Sequence, residues 1–357
     1  MVLRMRIVPA CSLLSVTVVI SGCALPYYWQ AAAGHLELLA SRVPIVDVLE
    51  DPEQSDATRE ALSRAIEIRE FAIAELGLPD NESYRSYADL GRRYAVWNVV
   101  AAEEFSIDAQ SWCFPVAGCV TYRGYFDQED AERFAADLEA AGLDTYVAGA
   151  SAYSTLGYFS DPLLNTMLSG GERYIASIIF HELAHQLAYI RGDTPLNEAF
   201  ASAVAEHGTQ RWLTHRSDTQ GIADHRDRLG RRENFFGLIV IQQNRLRELY
   251  GRSIAPEVMR AAKCEAFEEL QAEYASLRSA WGGANEYDDW FAQPLNNAQL
   301  ASVVAYSRWL PNFRAFLRTQ GLGALYMEMA VLEALPPEER EMRLDTYLTT
   351  ALPPERR

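Results

Sequence analysis

Surplus positive charge is missing from this chain: 32 Lys and Arg stand against 49 Asp and Glu, a formal net charge of -17. Nucleic acid is thereby excluded as a partner, because phosphates must be met by Lys and Arg, and the acidity reads as a solvated surface. Long hydrophobic runs are also missing. The apolar stretch Ile7 to Ile20 is too short for a comfortable membrane span. There is no internal repeat and no low-complexity tract, which excludes repeat architectures. Cysteine is sparse, five in 357 residues. What is present is ordinary globular material, 49% hydrophobic and 23% charged, in a chain long enough to bury a substantial core.

The short apolar run follows Arg4 and Arg6 and ends in Ile20-Ser21-Gly22-Cys23. A positive start, a brief apolar stretch and small residues before a cysteine resemble the bacterial lipobox. Residues 1–22 are expected to be a signal peptide, and Cys23 the acylated N-terminus of a domain spanning 23–357. Ala24 after the cysteine, by resemblance to other lipoproteins of two-membrane bacteria, implies the outer membrane, facing the periplasm. The lipid would be the domain's membrane attachment. An ordinary secretory signal is the alternative. Tyr27, Tyr28 and Trp29 come next and could rest at a membrane interface or pack on the domain.

Cys113, Cys119 and Cys264 remain. Cys113 and Cys119 bracket a turn-like Phe-Pro-Val-Ala-Gly insert, which suits a local disulfide in an oxidising compartment and matches no common zinc spacing. Cys264 falls in a helical pattern and reads as a buried thiol.

Residues 57–76 carry an apolar stripe closed by Gly77 and Pro79, and predict a helix. From 92 to 162 the chain turns to β-formers: Tyr94 to Val100, Val120 to Phe126, Asp144 to Ala150 and Ala152 to Pro162, with a helix from Asp130 to Ala141. After residue 171 almost everything is helical in pattern: Phe235 to Tyr250, Ala255 to Ala280, 296–307, 310–319, 322–334 and 337–351. The expected fold is α+β, a small mainly antiparallel sheet within 23–170 followed by a predominantly helical, zincin-like part from 171 to 357.

The segment Tyr174 to Ile190 reads as a helix with His181, Glu182 and His185 in the order H-E-x-x-H. Histidines four apart share one helix face, so both rings can reach one ion, while the glutamate points about 100° away. Ile175, Ile178, Ile179, Leu183 and Leu187 supply the apolar face. Gly192 stops the helix, and Thr194-Pro195 suits the N-cap and first position of a second one. If that helix returns antiparallel, Glu198 comes back to the level of the histidines and completes a His-His-Glu zinc site. Otherwise Glu198 is a first-turn acid complementing the helix dipole. Ser202 and Glu206, one and two turns beyond, are expected to steady the ligands from behind, with a solvated surface the alternative for Glu206. His207 and His215 are expected at the surface.

His181-Glu-Leu-Ala-His-Gln186 and Asn197-Glu-Ala-Phe-Ala-Ser202 resemble the gluzincin metallopeptidases. The twelve residues between His185 and Glu198 are fewer than in well-known members. This spacing resembles instead a family of bacterial lipoproteins labelled aminopeptidases, as do Trp112 to Cys119, Tyr122 to Phe126, Tyr153 to Tyr158 and Leu295 to Ala298. The resemblance implies a zinc hydrolase that cleaves peptide bonds with a water activated at Zn2+, Glu182 acting as general base. It also implies a Tyr or His donor for the oxyanion, with His225, Tyr274 and Tyr306 as options. The aminopeptidase glutamate expected upstream of the zinc helix is not visible, and 152–160 contains no Glu. Two other functions fit the same residues, a zinc-dependent cell-wall amidase and a non-catalytic zinc-binding lipoprotein scaffold.

Overall fold

The computed structural model describes residues 25–114, 118–304 and 308–350. The chain opens with α1 (Leu25–Ala40), β1 (Val43–Pro44), α2 (Ile45–Glu50) and α3 (Asp56–Leu76). Ser55 caps α3, its Oγ accepting from Thr58 N, and Gly77 ends it at φ 67°, a left-handed value that favours glycine. Next come β2 (Ser86–Ala88), β3 (Val96–Glu103), β4 (Trp112–Phe114), β5 (Gly118–Val120) and β6 (Arg123–Tyr125). They are followed by α4 (Gln128–Ala140), β7 (Leu143–Ala150), β8 (Leu163–Leu164) and α5 (Asn165–Leu168). The rest is helical: α6 (Gly171–Leu187), α7 (Thr194–His215), α8 (Thr219–Tyr250), α9 (Pro256–Ala280) and α10 (Asp288–Phe291). Last are α11 (Asn297–Val304), α12 (Leu310–Gln320), α13 (Leu322–Ala334) and α14 (Pro337–Thr350). The fold is α+β. No helix among the described residues is long and apolar enough to cross a membrane.

The strands do not form the one small sheet expected. They make a β1-β2-β8 sheet, a β6-β3-β7 sheet and a β4-β5 hairpin. Pairing is antiparallel except between β2 and β8. The stretch from Ala152 to Pro162 is not a strand, because Leu156 (φ 56°) and Gly157 (φ 82°) turn the chain there. The β4-β5 hairpin is closed by a disulfide between Cys113 and Cys119. It lies on the connection between α6 and α7: a Cβ at Gly118 would come within 2.9 Å of Gly192 N. Cys264, expected buried, is exposed on α9.

The main core gathers α3, α6, α7, α12 and α13 around Phe71, Ile179, Phe180, Phe200, Phe313 and Leu325. Ordinary helices bury one stripe, but α7 buries fourteen of the eighteen residues from Leu196 to Leu213, so it is the axle of the helical half. Gly208 lets it approach: a Cβ there would meet Leu76 and Phe180 at 2.7 Å. A second core joins α8, α9, α10 and α11 through Phe235, Ile239, Leu270, Tyr274 and Phe291. α8 begins sixteen residues before the expected Phe235. Its first half is mostly polar and lacks an apolar stripe, but Asp218 caps it, accepting from Gly221 N at 2.8 Å.

Candidate metal centre

α6 and α7 are antiparallel neighbours joined by a turn that differs from the expected one. α6 stops at Leu187, where Ala188 turns extended (φ -150°), rather than running on to Ile190. The cap of α7 is Asp193, one residue ahead of Thr194; its Oδ1 accepts from Leu196 N and its Oδ2 from Arg340. The turn is held by Asn197, which is buried. Its Oδ1 accepts from Ile190 N at 2.8 Å, and its Nδ2 donates to Ile190 O at 2.7 Å. This side chain satisfies both backbone groups of a residue that belongs to neither helix, and so fixes where Glu198 stands.

His181, His185 and Glu198 converge. The two Nε2 atoms are 3.1 Å apart. Glu198 places Oε2 3.2 Å from His181 Nε2 and Oε1 3.6 Å from His185 Nε2. Four-coordinate zinc with bonds near 2.0–2.1 Å separates its ligands by about 3.3 Å. The three separations bracket that edge length, and two imidazoles with a carboxylate are a donor set that suits zinc. Burial alone would raise the Glu198 pKa, but the His185 and His181 rings outweigh it and hold the carboxyl well below its usual range. Burial would lower His185, and the Glu198 carboxylate reverses this and raises it. Glu182 is not one of the three donors but lines the same cavity as they do, and burial pushes its pKa up against the pull of the two histidines.

The three donors line a cleft of about 690 Å³ between the β6-β3-β7 side and the helical half. Gly149 to Ser154, the end of β7 and its continuation, line it together with His181 and Glu182. Tyr122 and Tyr189 also line it, and burial raises the pKa of both hydroxyls, helped by the Glu198 charge. Neither tyrosine stood out in the sequence; Tyr189 lies one turn beyond His185, and Tyr122 only as part of a motif.

Ser202 is buried and lines the cleft, while Glu206 faces away from the histidines. Both Glu206 oxygens accept from Arg314, at 2.5 and 2.8 Å, and Arg232 stands against Oε1. No carboxylate orients His185, whose buried Nδ1 has no partner among the described residues. His225 is not an oxyanion donor: it is buried with Nε2 3.3 Å from Glu206 O, outside the cleft. Tyr274 gives its hydroxyl to Asp288 at 2.6 Å in the second core. His215 is exposed as expected, stacked on Trp212, while His207 is half-buried. Tyr306 and Cys23 lie outside the described residues.

The fold and the site define an α+β protein whose H-E-x-x-H helix and returning glutamate can hold a metal ion. The chain belongs to the family described as "Putative aminopeptidase", whose model matches residues 26–344. No curated protein and no solved structure matches it.

Proposed function

We propose that the protein is a zinc-dependent peptidase, with His181, His185 and Glu198 as ligands and Glu182 as general base. The observation that carries this is the convergence of the three donors on the floor of a peptide-sized cleft, with a second, buried carboxylate beside them. Zinc held there would supply an electrophile and lower the pKa of a water in its open position. Glu182 accepts a proton from the attacking water and delivers it to the amide nitrogen as the C–N bond breaks. The water oxygen stays on the carbonyl carbon, so the products are an acid and an amine. Burial suits Glu182 to this exchange by bringing its pKa closer to working pH. Tyr122 and Tyr189 line the same cleft, and a hydroxyl from either would serve as donor to the carbonyl oxygen as charge develops.

The test is Glu182→Gln, purified and analysed for metal beside the wild type. Zinc should stay stoichiometric while hydrolysis of a peptide library falls by about 10²-fold or more. Loss of metal in Glu198→Ala completes the assignment. Unchanged hydrolysis in Glu182→Gln would overturn it. For location, we propose a Cys23-linked lipid anchor at the outer membrane. It is supported by exposed Leu25, Tyr28 and Trp29 on the first turns of α1, two residues and more beyond that cysteine.

A further inference from the structure

Once Glu182 and Glu198 are assigned, the metal cleft has no acid to spare. Among the described residues, its charged lining is His181, Glu182, His185, Glu198 and one more, Arg232. A substrate's free ammonium taken into such a cleft would need a carboxylate partner. Here the remaining group has the opposite sign.

Arg232 projects from α8 at the junction with a second cavity of about 300 Å³. The two cavities share Asn98, Tyr122, Thr194, Ser202 and Arg232. Beyond the junction the walls are apolar and aromatic: Val100, Tyr146, Phe235, Tyr287, Trp290 and Val303. Arg232 is poorly satisfied. It stands against Glu206, whose two oxygens are already engaged by Arg314, and Arg314 reaches a second acid, the exposed Glu233. Arg232 Nη2 pairs with Glu206 Oε1, and its buried Nε has no hydrogen-bond partner among the described residues. Two guanidinium groups share one buried carboxylate beside an apolar pocket, a setting in which a further anion is welcome.

Resting on the peptidase reading above, we propose that Arg232 receives the free C-terminal carboxylate of the substrate, with the terminal apolar or aromatic side chain in the second cavity. The planar guanidinium fork matches a carboxylate better than it matches a neutral amide. Distance along α7 sets the reach. Glu206, which marks the Arg232 position, is eight residues beyond Glu198, about 12 Å of helix rise. Allowing for the contacts at each end, about two residues of extended chain at roughly 3.4 Å each span the rest. The fragment released would be a short C-terminal peptide ending in a large apolar residue. This is the opposite chain end from the one in the family's description.

Binding, not turnover, tests it. Zinc-loaded Glu182→Gln is titrated calorimetrically with acetyl-Ala-Ala-Ala-Phe as the free acid and as the C-terminal amide. The free acid should bind roughly ten- to a hundredfold more tightly, and Arg232→Met in the same background should bring it down to the amide's affinity. Arg232→Lys, which keeps charge without the fork, should fall between, and circular dichroism should show each variant folded. Equal affinity for acid and amide, or tighter binding of the unacetylated amide, overturns the proposal. Hydrolysis by wild type and Glu182→Gln is read separately. A carboxylate preference without turnover would count against the peptidase reading while leaving the Arg232 site standing.

Discussion

His225 shows how a histidine that could be catalytic by type is structural by environment. It is 4% exposed, with its Nε2 at Glu206 O, and burial together with Arg173, Arg228 and Arg314 pushes its pKa down to about 4. Above pH 6.5 it is neutral whether the chain is folded or not, so it makes no pH-dependent contribution. As pH falls from about 6.5 towards 4, the unfolded chain takes up a proton that the folded one refuses, and stability is lost across that window. His225→Gln keeps a donor for the same carbonyl and does not titrate. Its urea midpoint should fall less than that of wild type between pH 6.5 and 4; parallel curves would show that another group sets the acid limb.

The α6–α7 turn is the element on which the site depends, and Asn197 is its clamp. Asn197→Ala would leave Ile190 N buried without its partner, while Ile190 O keeps only the Asp193 N–H, at a cost of roughly 1–3 kcal/mol. It should also loosen zinc binding, since Glu198 follows directly. Asn197→Asp, which keeps the acceptor but sets a buried carboxylate oxygen against Ile190 O, should cost at least as much; denaturant melts and competitive zinc titrations of both variants check this. Helical periodicity and the capping residues around Gly192 made this pair of helices and the His181, His185 and Glu198 constellation legible in the sequence. The exact turn was not, because Ala188 and Asp193 act through backbone dihedrals and a cap that overlap with neighbouring candidates. The first half of α8 was hidden for want of an apolar stripe. Arg232 on that half was hidden with it, and a lone arginine among so many carries no spacing signal. The division of the strands into three sheets depends on the disulfide-closed hairpin and the turn at Leu156-Gly157, which strand propensity does not encode. Glu206 carried a helical offset suited to supporting the ligands, yet Arg314, over a hundred residues away, claims it.

At the scale of the whole molecule, the proposed metal site would tie global stability to pH. Without metal, Glu198 is a buried carboxylate held low by the two rings, and His185 is held above its ordinary pKa by that carboxylate. A raised histidine pKa means that this contact stabilises the fold fully below about pH 6.5 and is lost as pH rises through the folded value. Zinc needs the neutral imidazole, so it competes with that proton and binds more tightly as pH rises. On the proposed zinc reading the two effects replace each other: the ion pair holds α6 against α7 in acid, and zinc would hold them above neutrality. Both helices are central to the main core, so the exchange is felt in the melting of the whole helical half. At a free zinc concentration a hundredfold above Kd the stabilisation is about 2.7 kcal/mol, or roughly 4 °C for a chain of this size. Chelator should therefore lower Tm by several degrees at pH 8 and by much less at pH 5.5. Equal chelator shifts at both pH values would show that zinc does not displace a proton from His185. No shift at either would mean that the three donors do not hold a metal.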